Sequence, residues 1–321
     1  MQILPWHEKK LQYFMGIRQS GRLPHALLMT GPDGTGKYLF ALELVRMLVV
    51  EGQSSDVRRM EIQSQFDAGT YPDYLEIRPL ENKTVISVDQ IRGMCGRLAL
   101  TSHDDLLKVA LIEPAESMTH AAANALLKTL EEPSGDALII LISENRGKLP
   151  QTIRSRCQSV LFTVPDNETA MLWLNEKIGQ DAERYLELAG GAPLQAMNYH
   201  QQCLAEYHDQ FIAGLSALSA GKIDVVEMAQ KWVEYDRTIL IDWLMGITRW
   251  MVNRKMGLKD TFNAYGKSMN DLKISVDRID LIKLFHFQEE LQRSQIDSDA
   301  NLNRELFIEK LIITWSDLVL T

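Results

Sequence analysis

The sequence predicts a parallel α/β domain followed by an all-helical C-terminal region. Short apolar runs alternate with helical patterns over residues 1–165. A glycine-rich loop, Gly31-Pro32-Asp33-Gly34-Thr35-Gly36-Lys37, stands between one such run and one such helix. After Pro165 the strand-sized runs disappear, and apolar residues recur at helical spacing. The expected division is 1–165 as the α/β domain, 166–205 as a small helical domain and 206–321 as a larger one.

Each element has its own signal. Ala26 to Thr30 reads as a buried strand feeding the loop, and Phe40, Leu44, Met47 and Leu48 follow it at the spacing of an amphipathic helix. Tyr74 to Arg78 is a second strand. Ser87-Val88-Asp89-Gln90 is a capping box opening a helix with Val88, Ile91, Cys95 and Leu98 on one face. Leu107 to Glu113 is a third strand. The helix beginning near Thr119 buries Ala123, Leu126, Leu127 and Leu130 and stops at Pro133. A fourth strand spans Ala137 to Ser143. Pro150 suits the first turn of a short helix ending near Ser155, and a fifth strand follows at Ser159 to Val164. The small helices beyond break at Gly190-Gly191-Ala192-Pro193. Two long stripes follow: Leu240, Trp243, Leu244, Ile247 and Met251, then Leu281, Leu284, Phe285 and Leu291. Residues 256–275 carry the weakest pattern and read as a loop.

Composition narrows the function classes. The 321 residues are 45% hydrophobic and 24% charged, ordinary for a globular chain. The net charge of −9 shows no basic character that would advertise nucleic-acid binding by this chain alone. Met1 to Lys10 shows no signal-peptide pattern, and the longest apolar run, Ala137 to Ile142, is strand-sized. Cys95, Cys157 and Cys203 form no C-x-x-C pair, so neither a zinc site nor a disulfide framework is expected, and the cytoplasm is the expected compartment.

The loop matches G-x-x-x-x-G-K, whose backbone N–H groups form an anion nest at a helix N-terminus. Gly31, Gly34, Gly36 and Lys37 are the candidate nucleotide-binding residues. The residue after the lysine should carry a compact hydroxyl for Mg²⁺, and Tyr38 stands there instead. The second nucleotide motif should end a strand in Asp-Glu. Here Val109-Ala110-Leu111-Ile112 is followed by Glu113 and Pro114. Glu113 has the reach for a metal, but Pro114 cannot position or activate water, and hydrolysis depends on that positioning. Arg156 lies in Thr152-Ile153-Arg154-Ser155-Arg156-Cys157. On charge pattern alone its bland reading is a solvated helix end; the alternative is a guanidinium presented to phosphate on a neighbouring subunit. Cys157 reads as a small buried hydrophobe. The pair Glu131-Glu132 reads as a solvated helix end.

Together these pieces resemble the clamp-loader branch of the AAA+ proteins. The run A-N-A-L-L-K-T-L-E-E-P at 123–133 and S-R-C at 155–157 carry the resemblance, with Arg22 to Leu28 and Ala68 to Tyr74 in support. The match is densest over residues 1–200. It implies a RecA-like AAA+ domain, a helical lid and an all-α collar that holds a ring-like hetero-oligomer. Two kinds of subunit share the motifs: motor subunits (gamma/tau) with complete ATP sites, and a subunit whose own site has decayed. This chain resembles the second kind, because Tyr38, Pro114 and Leu194, where a motor carries a sensor arginine, all fall in one active site. The resemblance also reverses the weighting of Arg156, which becomes an arginine finger in trans.

The implied partners are gamma/tau and delta subunits, with the sliding clamp and primer-template DNA reached through the complex. The chain would belong to a DNA polymerase holoenzyme without polymerising DNA or hydrolysing ATP itself. No cofactor is firmly expected; residual ATP or ADP affinity at the loop stays open. Many members of the resembled family carry a four-cysteine zinc module before the A-G-T-x-P-D segment, whereas Glu51 to Ala68 has no cysteine, so the module is expected to be absent or metal-free and no zinc is expected. The rival reading is an autonomous or motor-type AAA+ ATPase.

Overall fold

The computed structural model describes residues 3–51, 55–100, 107–133, 135–258, 276–296 and 304–319. The chain divides into two compact units, Met1–Thr169 and Ala170–Thr321.

In the first unit, five strands form one parallel sheet in the order β2-β3-β4-β1-β5. These are β1 (Ala26–Thr30), β2 (Tyr74–Ile77), β3 (Lys108–Ile112), β4 (Ala137–Ser143) and β5 (Gln158–Leu161). Every residue of β1, β3 and β4 is buried. Near-continuous apolar strands are what a parallel sheet covered on both faces requires. Alternate side chains serve opposite faces. Leu27, Met29, Val109, Leu111, Leu138 and Ile140 pack on one side with α1 (Glu8–Gln19) and α2 (Lys37–Glu51). Leu28, Ala110, Ile112, Ile139 and Leu141 pack on the other with α4 (Val88–Ala99) and α5 (His120–Glu131).

The expected capping box at Ser87 and Gln90 is formed in both directions, and Thr119 caps α5 by accepting from the Ala122 N–H. Two expectations shift. The buried face of α4 is Ile91, Met94 and Leu98, with Cys95 only half-buried beside it. Pro150 is the N-cap of α6 (Gln151–Arg154), one residue earlier than its expected place in the first turn. Two helices had no counterpart in the periodicity: α1, and α3 (Asp56–Asp67), which occupies the stretch where the zinc module was expected to be absent.

The second unit is helical throughout its described residues. It contains α7 (Asn167–Ile178, whose first turn falls in the first unit), α8 (Ala182–Leu188), α9 (Pro193–Gln201), α10 (Leu204–Ser219), α11 (Val225–Trp232) and α12 (Arg237–Lys255), then α13 (Leu281–Ile296) and α14 (Arg304–Val319). One apolar core runs through it from Ala170 to Leu318, including Phe211, Trp243, Phe287 and Trp315. The stripe of α12 is buried as expected. On α13 the buried face is Leu284, Phe287 and Leu291, while Phe285, assigned to that face by its spacing, is 43% exposed. Of the expected loop 256–275, residues 259–275 lie outside the described residues.

The turn from β1 into the glycine loop is fixed by close approach. Gly31 has φ +149°, and a Cβ there would lie 1.9 Å from the Phe162 carbonyl oxygen. The Phe162 N–H meanwhile donates to the Thr30 carbonyl at 2.7 Å. A side chain at position 31 therefore forces the end of β1 away from the segment following β5. Gly31→Ala is expected to destabilise the protein by about 2 kcal/mol or more. Chemical denaturation compared with the parent chain checks it, and an unchanged midpoint would contradict the contact.

Candidate functional site

In an open parallel sheet, ligands meet the carboxyl ends of the strands. The register brings four such ends together here. Thr30 pairs with Ser143, Ile112 with Leu141, and Ile77 with Ile112, so the residues that follow, Gly31, Glu144, Glu113 and Arg78, gather at one edge. The loop is anchored from outside and braced from within. Trp6 Nε1 donates to the Thr35 carbonyl at 3.0 Å, and the buried Thr35 hydroxyl donates to the Pro32 carbonyl at 2.9 Å. Gly34 and Gly36 take φ of +70° and +88°, which side chains resist.

Lys37 opens α2 and is 5% exposed. Its Nζ donates to the loop's own carbonyls, Gly31 and Pro32, each at 2.8 Å. Burial lowers the pKa of its ammonium group, while the carboxylates of Asp33, Glu144, Glu116 and Glu113 pull it back up. Lys37 thus already faces four negative groups.

Tyr38 belongs to a second cluster beside the loop. Its hydroxyl donates to both oxygens of Glu76 at 3.2 Å, and the Tyr74 hydroxyl donates to Glu76 at 3.1 Å. The Arg78 guanidinium stacks 4.4 Å from the centre of the Tyr38 ring. The same guanidinium pairs with Glu76 at 2.6 Å and with Glu113 at 2.6 Å. Burial raises the pKa of Glu113, and Arg78 opposes that shift. Sequence reasoning named Tyr38 and Glu113 as the two positions of metal chemistry. The structure joins them through a permanently charged side chain.

In this arrangement Lys37 and Glu113, the groups expected to meet phosphate and metal, are already engaged by the protein's own groups. Each exposed ion pair of this kind contributes roughly 0–1 kcal/mol, and the stacking about as much. The cluster nonetheless places a fixed cation among the carboxylates a divalent ion would need. Three cations, Lys37, Arg78 and Lys148, face five carboxylates: Asp33, Glu76, Glu113, Glu116 and Glu144. Pro114, at the position of the catalytic acid, opens a single 3-10 turn (Ala115–Ser117) and offers no acidic group. Among the described residues, no group of three or more His, Cys, Asp or Glu could hold a metal ion.

Arg156 lies elsewhere. Gln158 pairs with Leu27 at the start of β1, so Arg156 precedes even that end of the sheet. At about 3.3 Å per residue, its backbone is roughly 15–20 Å along the strands from Gly31. Its guanidinium is held by Glu131 at the end of α5, where Nε donates to Oε1 at 2.8 Å and Nη2 to the same oxygen. Nη1 donates to the Thr152 carbonyl at 2.9 Å. Glu131 and Glu132 are exposed at the helix end, as expected, and Glu131 also holds the candidate finger. Cys157 is half-buried, and burial pushes its thiol up to about 11, far from a nucleophile's range. Leu194 sits in the first turn of α9, in the second unit.

Comparison with known proteins bears on the whole chain. The family described as DNA polymerase III, delta subunit, matches residues 6–166, and its C-terminal part matches residues 203–317. A Pseudomonas aeruginosa protein, DNA polymerase III subunit delta', is 32% identical, over 98% of this chain and 98% of its own length. The chain belongs to the DNA polymerase III delta-prime family. The Escherichia coli delta' subunit is 28% identical, over 98% of this chain and 95% of its own. A gamma subunit from Buchnera aphidicola is 30% identical over 53% of this chain and 46% of its own. A solved gamma subunit-related protein from Thermotoga maritima superposes with a TM-score of 0.49 at 21% identity, covering 95% of this chain and 99% of that one. Of the two kinds of subunit that share the loop and the S-R-C run, the delta-prime family is the one expected from Tyr38, Pro114 and Leu194. No described helix is long and apolar enough to cross a membrane.

Titration calorimetry checks the site of this delta-prime family member. Magnesium is expected to add nothing to the affinity of the parent chain for ATP. In a Tyr38→Thr, Arg78→Ala double variant, magnesium is expected to raise that affinity by about tenfold or more. A magnesium-dependent gain in the parent chain would contradict the cluster's role.

Proposed function

We propose that this chain is the non-hydrolysing subunit of a clamp-loader complex, and that it supplies Arg156 to ATP held by an adjacent motor subunit of the gamma/tau type. The observation that carries the reading is the placement of Arg156 at the opposite end of the sheet from Gly31 and Lys37. A guanidinium anchored there cannot reach phosphate in its own loop, yet its half-exposed side chain is open to a neighbour. A planar, permanently charged group suits the charge that develops on a transferring phosphoryl group.

The glycine loop, on this reading, is a retained scaffold. Gly31, Gly34, Gly36 and Lys37 keep the nest, while Tyr38, Arg78 and Pro114 remove the metal and the water-activating acid. Weak ATP or ADP binding without turnover is compatible with it, and no zinc has a place in it. Residues 166–205 act as the lid and 206–321 as a collar that joins gamma/tau and delta subunits. The sliding clamp and primer-template DNA are engaged through the assembled complex, in the cytoplasm. A motor-type ATPase is the rival, and Pro114 together with the Arg78 bridge weighs against it.

The test is turnover in a reconstituted complex. Arg156→Ala should slow hydrolysis at the ATP site facing it by about 10³-fold or more. Arg156→Lys should rescue little, because a lysine lacks the planar fork. Undiminished hydrolysis and clamp loading with Arg156→Ala would overturn the assignment.

A further inference from the structure

We propose that Glu131 is the positioning residue for Arg156, setting the guanidinium's orientation so that its outer edge meets a phosphate presented by the neighbouring subunit. The inference rests on the trans-arginine reading above and deepens it.

The grip is asymmetric. An arginine has five N–H donors. Nε and Nη2 spend one each on Glu131, and Nη1 spends one on the Thr152 carbonyl. The Ser155 hydroxyl, 3.4 Å from Nη1, takes at most a weak share. The inner edge is therefore engaged, and the terminal N–H groups on Nη1 and Nη2 are the ones left for an anion. A carboxylate gripping the terminal edge would compete with phosphate; one gripping the Nε side does not.

Both anchors stand on rigid elements. Glu131 follows Leu130, which is 1% exposed, and the Leu130 carbonyl lies 2.9 Å from His25 Nε2. Thr152 precedes Ile153, which is fully buried in the same apolar cluster as Leu130. Two packed helices thus restrict a side chain with four rotatable bonds. The pair itself is half-exposed, at 33% for Arg156 and 50% for Glu131, so it adds little to folding. Its value lies in the rotamers it removes, and misplacement of a catalytic group by about an ångström costs up to about 10²-fold.

The charge of Glu131 leaves a distinctive signature. A carboxylate this close to a bound phosphate repels it weakly across a half-exposed surface. Removing the charge should then lower kcat, through loss of orientation, while KM stays level or falls. A residue that only supported the fold would not produce that split.

The experiment uses the complete reconstituted complex, with the other motor subunits' phosphate loops disabled so that only the ATP facing Arg156 is turned over. Glu131→Gln keeps the size and one acceptor oxygen and is expected to lower kcat about threefold, and Glu131→Ala about tenfold. Neither should raise KM, and neither should lower kcat further when Arg156→Ala is already present. Unchanged kcat, or an equal loss on the Arg156→Ala background, would overturn the proposal while leaving the finger intact. If Arg156→Ala alone leaves kcat unchanged, the finger reading itself fails and takes this proposal with it.

Discussion

The parallel register of the five-stranded sheet is the constraint on which the rest of the structure depends. Pairing Thr30 with Ser143 and Ile77 with Ile112 gathers the glycine loop, Glu113, Glu144 and Arg78 at one edge. Pairing Leu27 with Gln158 sends Arg156 to the other. A parallel strand fixes which end of each connection faces which edge, so Arg156 and the glycine loop cannot meet within one chain. The fully buried central strands β1, β3 and β4 hold the middle of that register, since a one-residue slip would turn each apolar set towards the wrong layer.

At the loop edge, the groups of a phosphate nest are tied to the protein's own residues. An anion nest and a buried lysine attract phosphate. Here the lysine is shared among its own loop carbonyls and four carboxylates. The stacked Arg78 bridges Glu76 and Glu113 and occupies the electrostatic role a divalent cation would play. No single contact in that cluster is strong. Its effect comes from placing a group that cannot be deprotonated between the residues a metal would need. The opposite edge shows the converse design, in which Arg156 is held on one side and open on the other.

Much of this was legible in the sequence. The five strands, the loop and the capped helix of residues 120–131 follow from apolar runs, glycine spacing and Thr119. What escaped had physical reasons. The helix at Asp56–Asp67 buries Ile62 alone, so it carries no apolar stripe to read. On the helix Leu281–Ile296 the spacing suggests Phe285, although Phe287, one turn after Leu284 and one turn before Leu291, takes the core position. The ties from Arg78 to Glu113 and from Arg156 to Glu131 span 35 and 25 residues of chain. Such pairs arise only when strands and helices are packed, and neither composition nor periodicity encodes them. Family resemblance supplied the proposed role of Arg156; the register of β5 supplied its distance from the loop of its own chain.

The sharpest comparison is clamp loading by two complexes that differ only in this chain, one carrying Lys37→Ala and the other Arg156→Ala, with assembly verified for both. A subunit with an inert loop and an exported arginine should tolerate the first substitution, loading at the parent rate, and be crippled by the second. Equal damage from Lys37→Ala, or normal loading with Arg156→Ala, would contradict it.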